Sequence, residues 1–387
     1  MYYMKRIGII GALIMLMSSF AEATTIFARQ YNVQCNMCHI GVPPTLNSTG
    51  MSFLRNGMRF SKSDETTLQR ALGDTNRLIP VGFFVGGAYK DAEVSAKTPK
   101  GIVTKANEVT NPTVNIFLAG SLNENLSTFI GGKYAYMDAT ATTNDRSLEL
   151  LAKNIYLQYN VNETEHVIRG GILSPYTQLG NIRKSSENSG LADVQDQYIS
   201  PLVMANMTII RGIEYSYLMD NGLTFLAAAG VLDKANSEQN IMGALSYFNN
   251  ENLRIGLVLN RIIETKSDLE KKTYTPSQVI LGERTTLMVP LEYNFNYGYF
   301  NTAAVFETNS RPLTKDYYGL ESSVTIPVSE TGNIRFIHTT DNSDKHGYSL
   351  GVNQLMSDKI LFGITVAKFD TIVADFESVS ASFNYIF

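Results

Sequence analysis

The stretch of this sequence best equipped for chemistry is Cys35-Asn36-Met37-Cys38-His39. Two thiols at the ends of one tight turn can add to the two vinyl groups of a porphyrin while the next imidazole reaches the iron. Cys-x-x-Cys-His is therefore the attachment pattern of c-type haem. A Cys-x-x-Cys pair alone would also suit a redox dithiol, half a zinc site or a plain disulfide. The chain holds 2 cysteines in all, so a thiolate-rich zinc site has no second pair to draw on. No thioredoxin-like βαβ pattern surrounds the motif, and His39 is needed by haem and by none of the alternatives. One covalent haem c held by Cys35 and Cys38, with His39 as the first axial ligand, is the expectation.

A second axial ligand of thioether type would give an electron-transfer haem that binds no small ligand. His166, His338 and His346 lie far along the chain, so Met51 and Met58 are the local candidates. Met51 is favoured because it stands nearer the start of its helix, which would make His39 and Met51 the two iron ligands. Either methionine could instead fill space in a core.

The elements that must position these residues come next. A helix is expected from Asn47 to Phe60, with Met51, Leu54 and Met58 on one face towards the haem. The unit that carries it, residues 24–76, is too short to bury a large core, and a covalent haem can supply the missing apolar surface. Ahead of it, Lys5 and Arg6, the uncharged run Ile7 to Phe20 and Ala21-Glu22-Ala23 read as a secretory signal peptide over residues 1–23. Without that leader the formal charge moves from -4 to -5, a mild acidic excess that argues against a nucleic-acid partner.

Phe27-Ala28-Arg29-Gln30, the Cys-x-x-Cys-His and then Leu46, Gly50, Phe53 and Gly57 resemble the N-terminal module of the fused monohaem cytochrome-porins. That family is best known as outer-membrane iron oxidases of iron-oxidising bacteria. The sequence departs from the pattern at Tyr31-Asn32, at Met51 and at Met58. The resemblance implies Fe(II) or another extracellular donor and the possible activity of an Fe(II):cytochrome c oxidoreductase.

After about Leu78 the composition changes to short alternating runs separated by Asn, Asp and Gly, and residues 78–387 read as a porin-like barrel. Val379, Ala381, Phe383, Tyr385 and Phe387 alternate with Ser378, Ser380, Ser382 and Asn384. A last strand of this kind ending in an aromatic resembles the signal read by the outer-membrane assembly machinery. Similar alternation sets Leu287, Val289, Leu291, Tyr293 and Phe295 against Met288, Glu292 and Asn294. Alternation does not say which face points outwards. The leader, the terminal Phe and 21 Tyr with 19 Phe favour lipid outside and a polar lumen inside.

Sixteen antiparallel strands are expected, centred near Phe84, Phe117, Ala135, Ile155, Ile168, Ile213, Phe225, Ala244, Leu257, Leu291, Ala304, Val324, Phe336, Leu350, Ile364 and Phe383. Short turns alternate with long loops, the longest from about Ser174 to Ala205, and the small α-helical haem unit would serve as a plug. Lys133, Lys153, Arg169, Glu214, Arg254, Glu292, Glu321 and Arg335 are expected to face the lumen. Loop carboxylates Asp138, Asp145, Glu187, Asp193 and Asp196 are loose candidates for iron contact.

The whole reads as a mainly β outer-membrane protein that lies in outer-membrane lipid, with its haem on the periplasmic side or in the lumen. It would take electrons from an extracellular donor such as Fe(II) and pass them to a periplasmic electron carrier, a cytochrome c or a copper protein. The alternative is a solute porin whose haem unit gates or senses.

Overall fold

The computed structural model describes residues 27, 31, 33–39 and 46–60, then sixteen strands with their shorter connections between 81 and 386. The leader, the loop 41–44, the loop 174–205, the five loop carboxylates and Phe387 lie outside the described residues, as do the side chains of Cys35, Lys133 and Lys153.

The strands are β1 (Val81–Ala96), β2 (Val103–Ser121), β3 (Leu126–Met137), β4 (Ser147–Val161), β5 (His166–Leu173), β6 (Ile210–Leu218), β7 (Leu223–Leu232) and β8 (Glu238–Asn249). They continue as β9 (Leu253–Glu264), β10 (Arg284–Phe295), β11 (Gly298–Asn309), β12 (Tyr317–Ser329), β13 (Gly332–Asp341), β14 (His346–Ser357), β15 (Ile360–Asp370) and β16 (Ala374–Ile386). Each of the sixteen expected centres falls inside one of them. Every strand pairs antiparallel with its sequence neighbours, and β1 pairs with β16, from Phe84 opposite Ile386 to Ala96 opposite Ala374, so the sheet closes on itself. Closure leaves no unpaired edge.

Burial settles which face points out. Leu257 and Leu259 are 46% and 52% exposed, whereas Val258 and Asn260 between and beyond them are 2% exposed. Ile155, Leu157, Tyr159 and Val161 point out while Tyr156, Gln158 and Asn160 are buried. Apolar side chains lie outside and polar ones inside, the inverse of a water-soluble β protein and the arrangement of a barrel that faces lipid.

At one rim the connections take two to four residues, and asparagine side chains build two of the turns. Asn123 Oδ1 accepts from the amides of Asn125 (2.9 Å) and Leu126 (2.8 Å), and Asn221 Oδ1 accepts from Leu223 N (3.0 Å). Gly222 closes the second turn at φ +84°, where any other residue would be strained. The start of β1 and the end of β16 share this rim, and the longer connections, up to residues 174–209, belong to the other.

One helix, α1 (Ser48–Arg55), precedes the barrel among the described residues, together with a 3-10 turn at Cys35–Met37. The helix is shorter than the expected Asn47 to Phe60. Asn47 is its N-cap, and at its other end Met58 N donates to Phe53 O (2.8 Å) and Gly57 N to Leu54 O (3.2 Å). That pair of bonds is a Schellman motif, with Gly57 at φ +71° and Met58 at φ +62°. Met58 therefore lies beyond the helix and shares no helical face with Met51 and Leu54.

Candidate functional site

The motif residues sit on a turn that is tied to the helix behind it. The 3-10 turn Cys35–Met37 brings backbone positions 35 and 38 together, with Met37 N donating to Gln34 O (3.1 Å). His39 follows and forms an isolated antiparallel bridge with Leu46. Asn47 holds the two pieces together. Its Oδ1 caps α1 by accepting from Gly50 N (2.9 Å), its Nδ2 donates to Asn36 O (3.1 Å) and Met37 O (3.0 Å), and its own amide donates to Cys38 O (3.0 Å). Gly50 is needed for the same contact, because a Cβ there would run into Cys38 O and come within 2.9 Å of Leu46 Cδ2. Asn47 escaped the sequence reading as a site residue, although an Asn ahead of Ser-Thr-Gly is a helix-start signal.

Behind the turn lies an aromatic knot. The Phe53 ring meets Phe27 at 5.1 Å, Tyr31 at 5.6 Å and Phe60 at 5.0 Å between centroids, and Tyr31 meets Phe60 at 4.9 Å. Met58 is buried in the same cluster, and Met37 and Cys38 pack against it. Met51 points elsewhere, half-buried in a hollow lined by Leu46, Asn47, Phe248, Arg254, Glu292 and Tyr299. The structure thus separates the two methionines. His166, His338 and His346 sit on the barrel wall beside tyrosines or threonine, His166 Nδ1 lying 2.8 Å from Tyr215 Oη and the His338 ring stacking on Tyr348.

The segment 53–60 lies in the lumen near the short-turn rim. Arg55 O accepts from Gln158 Nε2 (2.7 Å) and Asn160 Nδ2 (3.0 Å), two inward side chains of β4, and Arg55 Nη2 donates to Glu165 O (3.2 Å). Arg59 Nη1 donates to Asn123 O (3.1 Å) in the β2–β3 turn. Burial pushes the Arg55 guanidinium down to about 10, opposed by the nearby Glu214 carboxylate, so it stays charged at neutral pH. Glu214 is held by Arg169 at 2.6 Å, both fully buried. Gln158 and Asn160 were legible as a polar face of β4 but carried no sign that they would grip a helix end.

The wall beside this grip is unusual for a lumen. In strand register, Leu226, Ala244, Val258, Met288 and Val305 stand side by side across β7 to β11, and Ser216 and Val167 continue the row onto β6 and β5. All seven are at most 4% exposed. Its five apolar positions on β7 to β11 belong to the same buried cluster as Phe53, Met58 and Phe60. The flanking rows are mixed, with Glu214, Ala228, Met242, Asn260, Thr286 and Glu307 on one side and Thr224, Ser246, Pro290 and Ala303 on the other. From β12 to β16 the inner wall is mostly hydroxyl-lined, by Ser323, Thr325, Thr339, Ser349, Thr365, Ser378 and Ser380, and it carries Arg335.

Of the charged residues expected inside, Arg169, Glu214, Glu292 and Arg335 are buried and Arg254 and Glu321 half-buried. Arg254 pairs with Glu292 at 3.2 Å. Among the described residues no three His, Cys, Asp or Glu side chains gather as a metal cluster. The Cys-x-x-Cys-His turn itself has Met37 and Cys38 packed against a buried apolar cluster.

No protein-family model matches the sequence, and no curated protein matches it either. The fold does have solved counterparts. The anion-selective porin from Comamonas acidovorans superposes with a TM-score of 0.54 at 14% identity, covering 79% of this chain and 99% of that one. The outer membrane channel DcaP of Acinetobacter baumannii gives 0.54 at 9% identity, over 79% and 96%, and Salmonella typhi OmpF, in a complex with daunomycin, gives 0.53 at 10%, over 80% and 98%. At these identities the likeness is one of fold, and the fold is that of a porin-like barrel.

Proposed function

We propose that this chain is a bacterial outer-membrane barrel of porin type whose lumen is occupied by an N-terminal plug carrying one covalent haem c. It would move electrons between an extracellular donor such as Fe(II) and a small periplasmic carrier. The observation that carries this reading is the apolar hoop. Porin lumens are polar because water fills them. Here five aliphatic or methionine positions in register face inwards and are buried in one cluster with the aromatic knot behind the Cys-x-x-Cys-His turn. Burying each of the leucine, valine and methionine side chains contributes about 1.5–3 kcal/mol. A wall of that kind suits a resident plug better than a water path.

When bound, haem c would supply a one-electron carrier inside an otherwise insulating bilayer. Cys35 and Cys38 would attach it, His39 would ligate its iron, and Met51 or Met58 would complete the coordination. Asn47 and Gly50 would fix the turn against α1. Arg55, Gln158 and Asn160 would hold the plug in the barrel.

The second reading, a solute porin with a gating or sensing N-terminal unit, is the one that the fold comparison supports more directly, since the matched proteins are porins and channels. Two measurements separate the readings. Denatured full-length protein should retain haem peroxidase staining, and Cys35→Ser with Cys38→Ser should abolish it. Stopped-flow spectra of the purified protein should show haem reduction on mixing with Fe(II), with sulfide and quinols as controls. Unstained protein that conducts ions freely in a planar bilayer would sink the electron-transfer reading in favour of the porin.

A further inference from the structure

Arg335 lies inside the barrel on β13, 4% exposed, and no carboxylate pairs with it among the described residues. Among the described residues its one hydrogen bond is a long one, Nη2 to Ser323 Oγ at 3.4 Å, and its Nε is buried with no partner. The carboxylate of Glu321 is felt only through space. This contrasts with Arg169 and Arg254, which face the same lumen and are each paired to a glutamate. A buried guanidinium without a counterion is a costly arrangement, and proteins keep one where a negative group comes to it.

The surroundings of Arg335 are donors. Thr325 stands directly opposite it on β12, and Gly351 directly opposite on β14 leaves the space beside it without a side chain. Ser349, two residues along β14, and Ser378 on β16 face the same wall. The hydroxyl oxygens of Thr325, Ser349 and Ser378 are buried with no hydrogen-bond partner among the described residues. One positive fork, with uncommitted hydroxyls on the adjoining strands β12 and β14 and a third farther along on β16, makes a surface rich in donors. Its complement is an anion with several acceptor oxygens that can take two parallel N–H bonds.

We propose that Arg335, with Thr325 and Ser349, forms a carboxylate-binding subsite on the lumen wall. A carboxylate can reach it from two sources, a free carboxylate solute in the lumen or the propionate of a haem held by the plug. The second source rests on the function proposed above and the first does not.

The test measures the heat-unfolding midpoint of the full-length barrel in detergent against added butyrate, with chloride at equal ionic strength as control. A ligand that binds only the folded barrel raises the midpoint with concentration. Stabilisation of the wild type by butyrate and not chloride, with an apparent affinity about tenfold or more weaker in Arg335→Gln, identifies a site open to free carboxylates. If the wild type does not respond, the Cys35→Ser, Cys38→Ser chain is titrated next. A response that appears there and is lost on adding Arg335→Gln identifies the propionate as the resident group. If Arg335→Gln fails to assemble, Thr325→Val with Ser349→Ala replaces it and should weaken butyrate in the same way. No response in either background, a response unchanged by the substitutions, or equal stabilisation by chloride overturns the proposal.

Discussion

Asn47 shows how much one amide can organise. Its oxygen ends one element and its nitrogen holds another, so Asn47→Ala removes an N-cap and two hydrogen bonds together. A loss of about 2 kcal/mol in the local stability of the turn is expected. Hydrogen exchange over residues 34–50 should rise accordingly, and Asn47→Asp should restore the cap but not the tie to Asn36 and Met37. Met51 and Met58 should also behave differently. Met58 is 4% exposed within the aromatic knot, so Met58→Ala should cost about 2–5 kcal/mol as a cavity while leaving any iron-bound thioether in place. Met51→Ala should instead remove the weak near-infrared sulfur-to-iron band from the ferric spectrum. The reverse outcome would assign Met58 as the ligand. The sequence pointed to both methionines by type and proximity. It favoured Met51 for its place near the helix start but put both on one helical face, because it did not show where the helix stops.

At the scale of elements, the helix end was written in Asn56-Gly57, a stop signal that the apolar spacing of Met51, Leu54 and Met58 obscured. The consequence is testable. Gly57 is left-handed and a Cβ there would collide with the Ser127 side chain, so Gly57→Ala should both strain the turn and push the plug from the wall. A cost of at least about 1 kcal/mol is expected. Gln158→Leu with Asn160→Leu leaves the Arg55 carbonyl without its two side-chain donors, at about 1–3 kcal/mol. In both variants the N-terminal segment should be cut by protease faster than in the wild type while the strands remain resistant. Equal cutting rates would mean that the grip on Arg55 does not hold the plug.

The whole molecule was more legible than its parts. Period-two alternation located the strands, because a side chain on a barrel strand has only two faces to choose from, and it separated Met288 from Leu287 and Val289 correctly. The hoop was not visible, since it exists only when β5 to β11 are placed in register and a shift of one residue in any strand would break it. At this scale the wild-type barrel should show little conductance in a planar bilayer, and a deletion of residues 47–60 should raise it several-fold, about what uncovering a wide lumen implies. Unheated and heated samples should migrate differently on a gel in both cases.

The seam between β1 and β16 bears on how the protein is made. It joins positions some three hundred residues apart, such as Phe84 and Ile386, while every other strand pair is local. Loop-closure entropy therefore places this pairing last in folding. Until then the inward aliphatic row lies open on a curved sheet, and it is wetted from inside unless the N-terminal knot already covers it. The segment that leaves the export channel first must accordingly wait beside an unfinished sheet and be enclosed as the final strands arrive. Timing, and not affinity alone, decides whether the finished barrel contains its plug.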